Sequence, residues 1–288
     1  MSERHFLYRR VLFATTATAI FVTVAFLVFS FTKRNHVIIR QLDPIDLNQN
    51  IANIPRPIPT INHSPKITPS VKSVPILMYH YIRWADPAKD YLGNRLSVTP
   101  TAFDQQVNWL STHGYQAIKL DNFCHNNIVI TKKPIILTFD DGYEDAYTNA
   151  LPILQKYHFT GTFFIIKSRI NQPAYLSSYQ ISAMLQNGME IGSHTVNHVN
   201  LSTASIEKQM YELVQSKQSS PVFAYPSGKY NQITIQLTND AGYDCAVTTN
   251  PGVASTLSPL YELPRIRISG GEALTSFIES VTNTKGFH

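Results

Sequence analysis

Ile135-Ile136-Leu137-Thr138-Phe139-Asp140-Asp141-Gly142 is an apolar, β-branched run that ends abruptly on two carboxylates and a glycine. Its composition reads as a buried strand. Two neighbouring carboxylates repel each other unless a proton or a cation resolves the charge. Further along, Gly192-Ser193-His194-Thr195-Val196-Asn197-His198 holds two imidazoles at i and i+4. One carboxylate and two histidines form a three-ligand set for a catalytic divalent metal, with a position left open for water. The second carboxylate is then free to act as a base. Adjacent residues of an ideal strand face opposite ways, so Asp140 and Asp141 reach one cavity only if the strand is already breaking at Gly142. Asp-Asp-Gly by itself is also an ordinary turn sequence, and the i, i+4 histidines could sit on a loop or a first helical turn. Together the two motifs point to metal-dependent hydrolysis.

Strand-like and helix-like segments alternate on either side of this run. Strands are expected over Val74–Tyr79, Pro134–Phe139, Thr162–Ile166, Met189–Ser193, Val222–Tyr225 and Asp244–Thr248. Helices are expected from Pro100, capped by Thr99, to His113, and over 145–157, 178–187, 203–216 and 233–241. Alternation of this kind argues for parallel β packing, as a barrel or an open sheet. His80 ends the first strand, Asp140 and Asp141 the second, His194 the fourth, and Tyr225-Pro226-Ser227-Gly228 the fifth. In parallel barrels the site lies at the C-terminal ends of the strands, so these residues converge on one rim. The turn at Ser227 can aim a backbone N–H at a developing oxyanion. His80, a lone histidine among aromatics, is either a satisfied structural residue or a general acid.

The chain has 288 residues, 43% of them hydrophobic, with 15 Tyr and 15 Phe, enough for a large core. Its net charge of +5 resides in residues 1–40, and the remainder carries 18 basic and 18 acidic side chains. A nucleic-acid binder concentrates positive charge on its folded part, so the charge argues against a nucleic-acid partner. After a short basic segment (1–10), Val11 to Phe31 forms an uncharged stretch of 21 residues between Arg9-Arg10 and Lys33-Arg34. That length spans a bilayer and exceeds the apolar region of a cleaved signal. It reads as an uncleaved single-pass anchor, with cleavage and a secreted form as the alternative. The linker at 32–72 is proline-rich and reads as a semi-rigid stalk, with the folded domain at 73–288. Cys124 and Cys245 could pair if the domain is exported, or remain as two buried thiols.

Thr138-Phe139-Asp140-Asp141-Gly142, Ser193-His194-Thr195-Val196-Asn197-His198 and Phe223-Ala224-Tyr225-Pro226-Ser227-Gly228 resemble the first three motifs of the polysaccharide deacetylases, carbohydrate esterase family 4. The resemblance covers about residues 73–270. It implies a distorted, incomplete (β/α) barrel that removes acetyl groups from N-acetylated sugars of a polymer. By that likeness Asp141, His194 and His198 bind a divalent metal, usually zinc, and Asp140 is the base. Ser227 offers its N–H to the oxyanion. The chain departs from the family pattern in having Ala224 where many members have an arginine that orients the base, and Ser227 where a tyrosine often stands. It also lacks a late Leu-x-His motif. Pro75-Ile76-Leu77-Met78-Tyr79-His80 and Leu263-Pro264-Arg265-Ile266 are similar to a subgroup acting on poly-N-acetylglucosamine, whose acid histidine comes early. By that likeness His80 is the acid and Arg265 replaces the missing arginine, with Arg267 as its rival. The implied partner is an N-acetylated polysaccharide, most readily poly-β-1,6-N-acetylglucosamine, with peptidoglycan or a chitooligosaccharide as alternatives. The expected place is the outer side of a cell membrane. A non-catalytic carbohydrate-binding surface protein is the competing class, motivated by Ala224.

Overall fold

Strand and helix alternate along the folded part, and the computed structural model describes residues 73–128 and 133–283. Strands β1 (Ser73–Val74), β2 (Ile76–Tyr79) and β3 (Tyr81–Ile82) precede helix α1 (Tyr91–Leu96) and strand β4 (Ser97–Val98). Helix α2 (Pro100–Thr112), strand β5 (Tyr115–Ala117), helix α3 (Leu120–Cys124) and strand β6 (Lys133–Phe139) follow. A π-helical turn (Ala146–Ala150) runs into α4 (Leu151–Lys156), then β7 (Thr162–Ile165), α5 (Ser178–Gln186) and β8 (Glu190–Ser193). The chain continues through α6 (Ile206–Gln215), β9 (Val222–Ala224), α7 (Gln232–Asp240) and β10 (Cys245–Pro251). It ends with β11 (Ala254–Ser255), β12 (Leu263–Arg267) and α8 (Leu274–Thr282).

Seven strands close a parallel barrel in the order β2, β12, β10, β9, β8, β7, β6, with β6 returning to β2. Ile76 faces Ile136 and Tyr79 faces Phe139 across the closing pair. The ring has one strand fewer than a complete eight-stranded barrel, and its register shifts between Val247 and Pro251 where β10 meets β12. The closed ring decides between the barrel and the open sheet that the strand pattern left open, and it matches the incomplete (β/α) barrel that the family likeness implies.

Both faces of the barrel strands are buried, as parallel sheets require, and the period of two sorts the side chains into one core in the lumen and two outside it, the second of these joining Phe223 and Ala246 to Leu213 and Leu237. Ile76, Ile136, Phe164, Val222, Val247 and Leu263 pack together in the lumen. Leu77, Tyr79, Leu137, Phe139, Phe163 and Ile191 pack outward with α2, α4 and α8 through Phe103, Leu154 and Phe277. Gly192 lies on the lumen side of β8, where a Cβ would meet the Phe164 ring and Val222 at 2.8 Å.

Thr99 caps α2 as expected, its Oγ1 accepting from the Ala102 N–H at 3.2 Å with Pro100 in the first turn. The helix expected over 145–157 instead opens as a π turn. Pro152 has no N–H for the Thr148 carbonyl, and its ring crowds that turn. The helix expected from 203 begins at Ile206, because Ser205 caps it and Leu201–Thr203 forms a separate 3₁₀ turn. Cys124 and Cys245 form a disulfide across a Cα–Cα distance of 6.2 Å, tying the end of α3 to the start of β10. The basic segment (1–10), the anchor (11–31) and the linker (32–72) lie outside the described residues. Among the described residues no helix is long and apolar enough to cross a membrane.

Candidate active site

The strand period carries the lumen face past the ends of the strands. Ile136, Thr138 and Asp140 alternate along β6, and Asp140 is the first residue beyond it. His80 stands beyond β2 and His194 beyond β8 in the same way, and Arg265 lies on β12 two residues after the lumen-facing Leu263. Asp141 escapes the alternation because its backbone turns left-handed, with φ +74°, followed by Gly142 at φ +75°. The pair therefore reaches one cavity through a local break that only glycine accepts freely.

Asp141 Oδ1 lies 3.4 Å from His194 Nε2 and 3.4 Å from His198 Nε2. The two imidazoles are 4.9 Å apart at 65°. His194 and His198 stand on a loop rather than on a helical turn, with Thr195 at φ +64° and His198 at φ +55°. His194 Nδ1 is 2.7 Å from the Ala224 carbonyl. A carbonyl only accepts, so Nδ1 carries the proton and Nε2 turns its lone pair toward Asp141. A carboxylate oxygen and two imidazole nitrogens thus converge, each within 4.8 Å of the others. That donor set fits a divalent cation of the zinc type. Burial opposes charge on His194, but Asp141 overrides it and raises the imidazole pKa. Burial and the neighbouring His194 lower that of His198.

Asp140 is almost fully buried, which favours its neutral form, yet Arg265 overrides burial and holds the carboxyl far below the usual range. Arg265 Nη1 and Nη2 each donate to one Asp140 oxygen at 2.8 Å, a bidentate fork. Nη1 also donates to Thr138 Oγ1 at 3.0 Å, and Nε to the Thr248 carbonyl at 2.8 Å. His80 Nε2 lies 4.0 Å from Asp140 Oδ2. Burial lowers the His80 pKa against the pull of Asp140 and Asp141. The structure thus brings Asp140, Asp141, His80, His194, His198 and Arg265 together. Arg267 is exposed at the end of β12. Ser227 follows β9 on the same rim, exposed and with φ +52°; among the described residues no hydrogen bond links it to the other six.

Sequence reasoning missed the groups that hold these side chains. Thr138 could have been found, since it precedes Asp140 by two on the same strand face. The Thr248 and Ala224 carbonyls left no signal, because any residue supplies a carbonyl.

A seven-stranded barrel with a cation-type donor set and a clamped carboxylate at its C-terminal rim has the layout of a metal-dependent hydrolase. The profile of the Polysaccharide deacetylase family matches residues 129–246. YxkH of Bacillus subtilis (strain 168), provisionally named a polysaccharide deacetylase, is 35% identical over 225 residues, 72% of this chain and 77% of that one. The deacetylase PplD of Streptococcus pyogenes, solved in complex with acetate, is 35% identical and superposes with a TM-score of 0.68 over 73% of this chain and 99% of that one. The poly-β-1,6-N-acetyl-D-glucosamine N-deacetylase of Staphylococcus aureus (strain MRSA252) is 26% identical over 74% of this chain and 83% of that one. The chain belongs to the polysaccharide deacetylase family, amide hydrolases of carbohydrate esterase family 4 that are generally metal-dependent.

Proposed function

We propose that this enzyme removes acetyl groups from the N-acetylglucosamine residues of a cell-surface polysaccharide, most readily poly-β-1,6-N-acetylglucosamine, a polymer of adhesion and biofilm. The observation that carries the reading is the Asp140 carboxylate, ionised in the grip of Arg265 and adjacent to the convergent Asp141, His194 and His198. Two features support the polymer: His80 comes early in the chain, and the S. aureus relative is named for that substrate. Asp141, His194 and His198 hold the cation, for which zinc suits the donor set. When bound, such a cation lowers the pKa of a water and polarises a carbonyl.

Asp140, kept ionised and oriented by Arg265, takes the proton of the attacking water. The Ser227 N–H donates to the tetrahedral oxyanion. His80, in its protonated form, gives its proton to the departing sugar amine, and Asp140 then yields the water's proton to solvent, from which His80 and the free amine take theirs. The amide C–N bond breaks, leaving acetate and a glucosamine that gains positive charge. The Cys124–Cys245 bridge supports an oxidising compartment. Residues 11–31 anchor the enzyme in the membrane with its catalytic domain outside, and 32–72 lift that domain off the surface.

Acetate release from poly-β-1,6-N-acetylglucosamine, chitin-derived oligomers and peptidoglycan, each with Zn²⁺ present, tests the reading. The first polymer is expected to react fastest. A faster reaction with either other polymer reassigns the substrate, and no release from any of the three refutes the activity.

A further inference from the structure

The loop that carries both imidazoles has an anchor that the chemistry above does not use. Glu212 sits on α6, fully buried, 14 residues beyond His198 in sequence. Its Oε2 accepts from the Val196 N–H and from the Asn197 N–H, both at 2.8 Å. Its Oε1 accepts from Asn197 Nδ2 at 2.8 Å and faces Lys208 Nζ at 2.8 Å. The next amide, that of His198, donates to Thr195 Oγ1 at 2.8 Å. Three successive loop amides are thus held by side-chain acceptors, and two of them converge on one carboxylate oxygen.

The loop needs such a hold. Thr195 and His198 both adopt left-handed backbone, at φ +64° and +55°, which side chains with a Cβ disfavour. Left to itself the segment would relax toward ordinary conformations, and His198 Nε2 would leave its place 3.4 Å from Asp141 Oδ1. His194 is fixed independently through the Ala224 carbonyl and the end of β8. Among the described residues no hydrogen bond from another element fixes His198, whose amide is held within the loop by Thr195 Oγ1. The only buried charge that faces the loop from α6 is the Glu212 carboxylate, and a carboxylate has the lone pairs to take all three donors at once.

We infer that Glu212 is a positioning residue for the metal centre: it holds the 195–198 loop in its left-handed form, so that His198 and Asp141 present a preformed ligand pair. The inference rests on the reading of Asp141, His194 and His198 as cation ligands. It makes α6 the outer support of the centre, and such outer partners commonly control metal affinity by about 10–100-fold.

Glu212→Gln keeps the size of the side chain but replaces one acceptor oxygen with a donor, which then opposes Asn197 Nδ2 or the two amides. Zn²⁺ affinity, measured on the full chain by competition with a chromophoric chelator, is expected to weaken by about 10–100-fold. Apo near-UV circular dichroism and the apo melting temperature should stay close to wild type, and saturating Zn²⁺ should restore most of kcat. The visible spectrum of the Co²⁺-loaded variant should shift, reporting altered ligand geometry. Lys208→Met, which spares the amide contacts, should keep affinity within about threefold. His198→Ala serves as the reference for a lost ligand. Wild-type affinity and an unchanged Co²⁺ spectrum in Glu212→Gln, alongside a weakened His198→Ala, overturn the role of Glu212 alone. Wild-type affinity in both variants overturns the ligand reading with it. A Glu212→Gln chain that no longer folds without metal marks a residue of general stability and also overturns the inference.

Discussion

Asp140 and Asp145 lie five positions apart and have opposite fates in burial. Asp140 has a planar, permanently charged fork on both oxygens, so its charge survives a site that water hardly reaches. Lysine could not match that fork, since an ammonium is a point charge. Asp145 has weaker help. Burial raises its carboxyl to about 6, with the Ile82 N–H and Arg83 only partly opposing, and among the described residues its Oδ1 finds no hydrogen-bond donor. Between about pH 4 and 6 the unfolded chain ionises this group while the folded chain keeps the proton, so stability falls as pH rises through that window and stays lower above it. Asp145→Asn removes the penalty. It should stabilise the fold by on the order of 1–2 kcal/mol at pH 8 and leave it unchanged near pH 4. Urea unfolding at both pH values checks this, and an equal gain at both would contradict it. Asp140, Asp141, His194 and His198 were legible because their residue types are rare at strand ends and costly without a partner. Arg265 was legible only through family likeness. Nothing local ties it to Thr138, 127 positions away.

Strands that alternate with helices were readable wherever an apolar run was long enough, as in β2, β6 and β7. β12 was not, because Leu263-Pro264-Arg265-Ile266-Arg267 breaks its apolar run with a proline and two arginines, of which Arg265 clamps Asp140 and Arg267 is exposed. Helices α1 and α3 are too short to show a period, and α3 is held from outside itself. Glu190 on β8 accepts from the Leu120 and Asp121 N–H groups at 2.9 and 3.3 Å. The disulfide fastens the other end of α3 to Cys245, the first residue of β10 and so at the end of the barrel away from the catalytic rim. It bridges 121 positions, a loop for which chain entropy predicts a stabilisation of about 4–5 kcal/mol. Replacing both cysteines by serine should lower unfolding free energy by about 2–4 kcal/mol and leave kcat within about twofold at 25 °C. Denaturant unfolding and acetate-release kinetics measure the two. A folded double variant with most of its activity gone would show that the cross-link reaches the site.

Barrel closure turns separate strand ends into one centre. His80, Asp140, His194 and Arg265 belong to four strands, and the common lumen face gives each its direction. The polar residues at successive strand ends were visible in sequence, and the convergence on one rim followed from parallel packing. The register of closure and the α6 support under the 195–198 loop were not visible, because they are set by packing between elements far apart in the chain. In the proposed mechanism two neighbouring carboxylates have different work: Asp141 holds the cation and Asp140 moves the proton. The most direct measurement strips the enzyme with chelator, reloads it with Zn²⁺, and follows acetate release and metal content for wild type and Asp140→Asn. Wild type should fall silent when stripped and recover on reloading. Asp140→Asn should rebind one Zn²⁺ and still release acetate about 10²–10⁴-fold more slowly, the range a lost general base implies. Full activity in the stripped wild type, or wild-type turnover in Asp140→Asn, would contradict that division of labour.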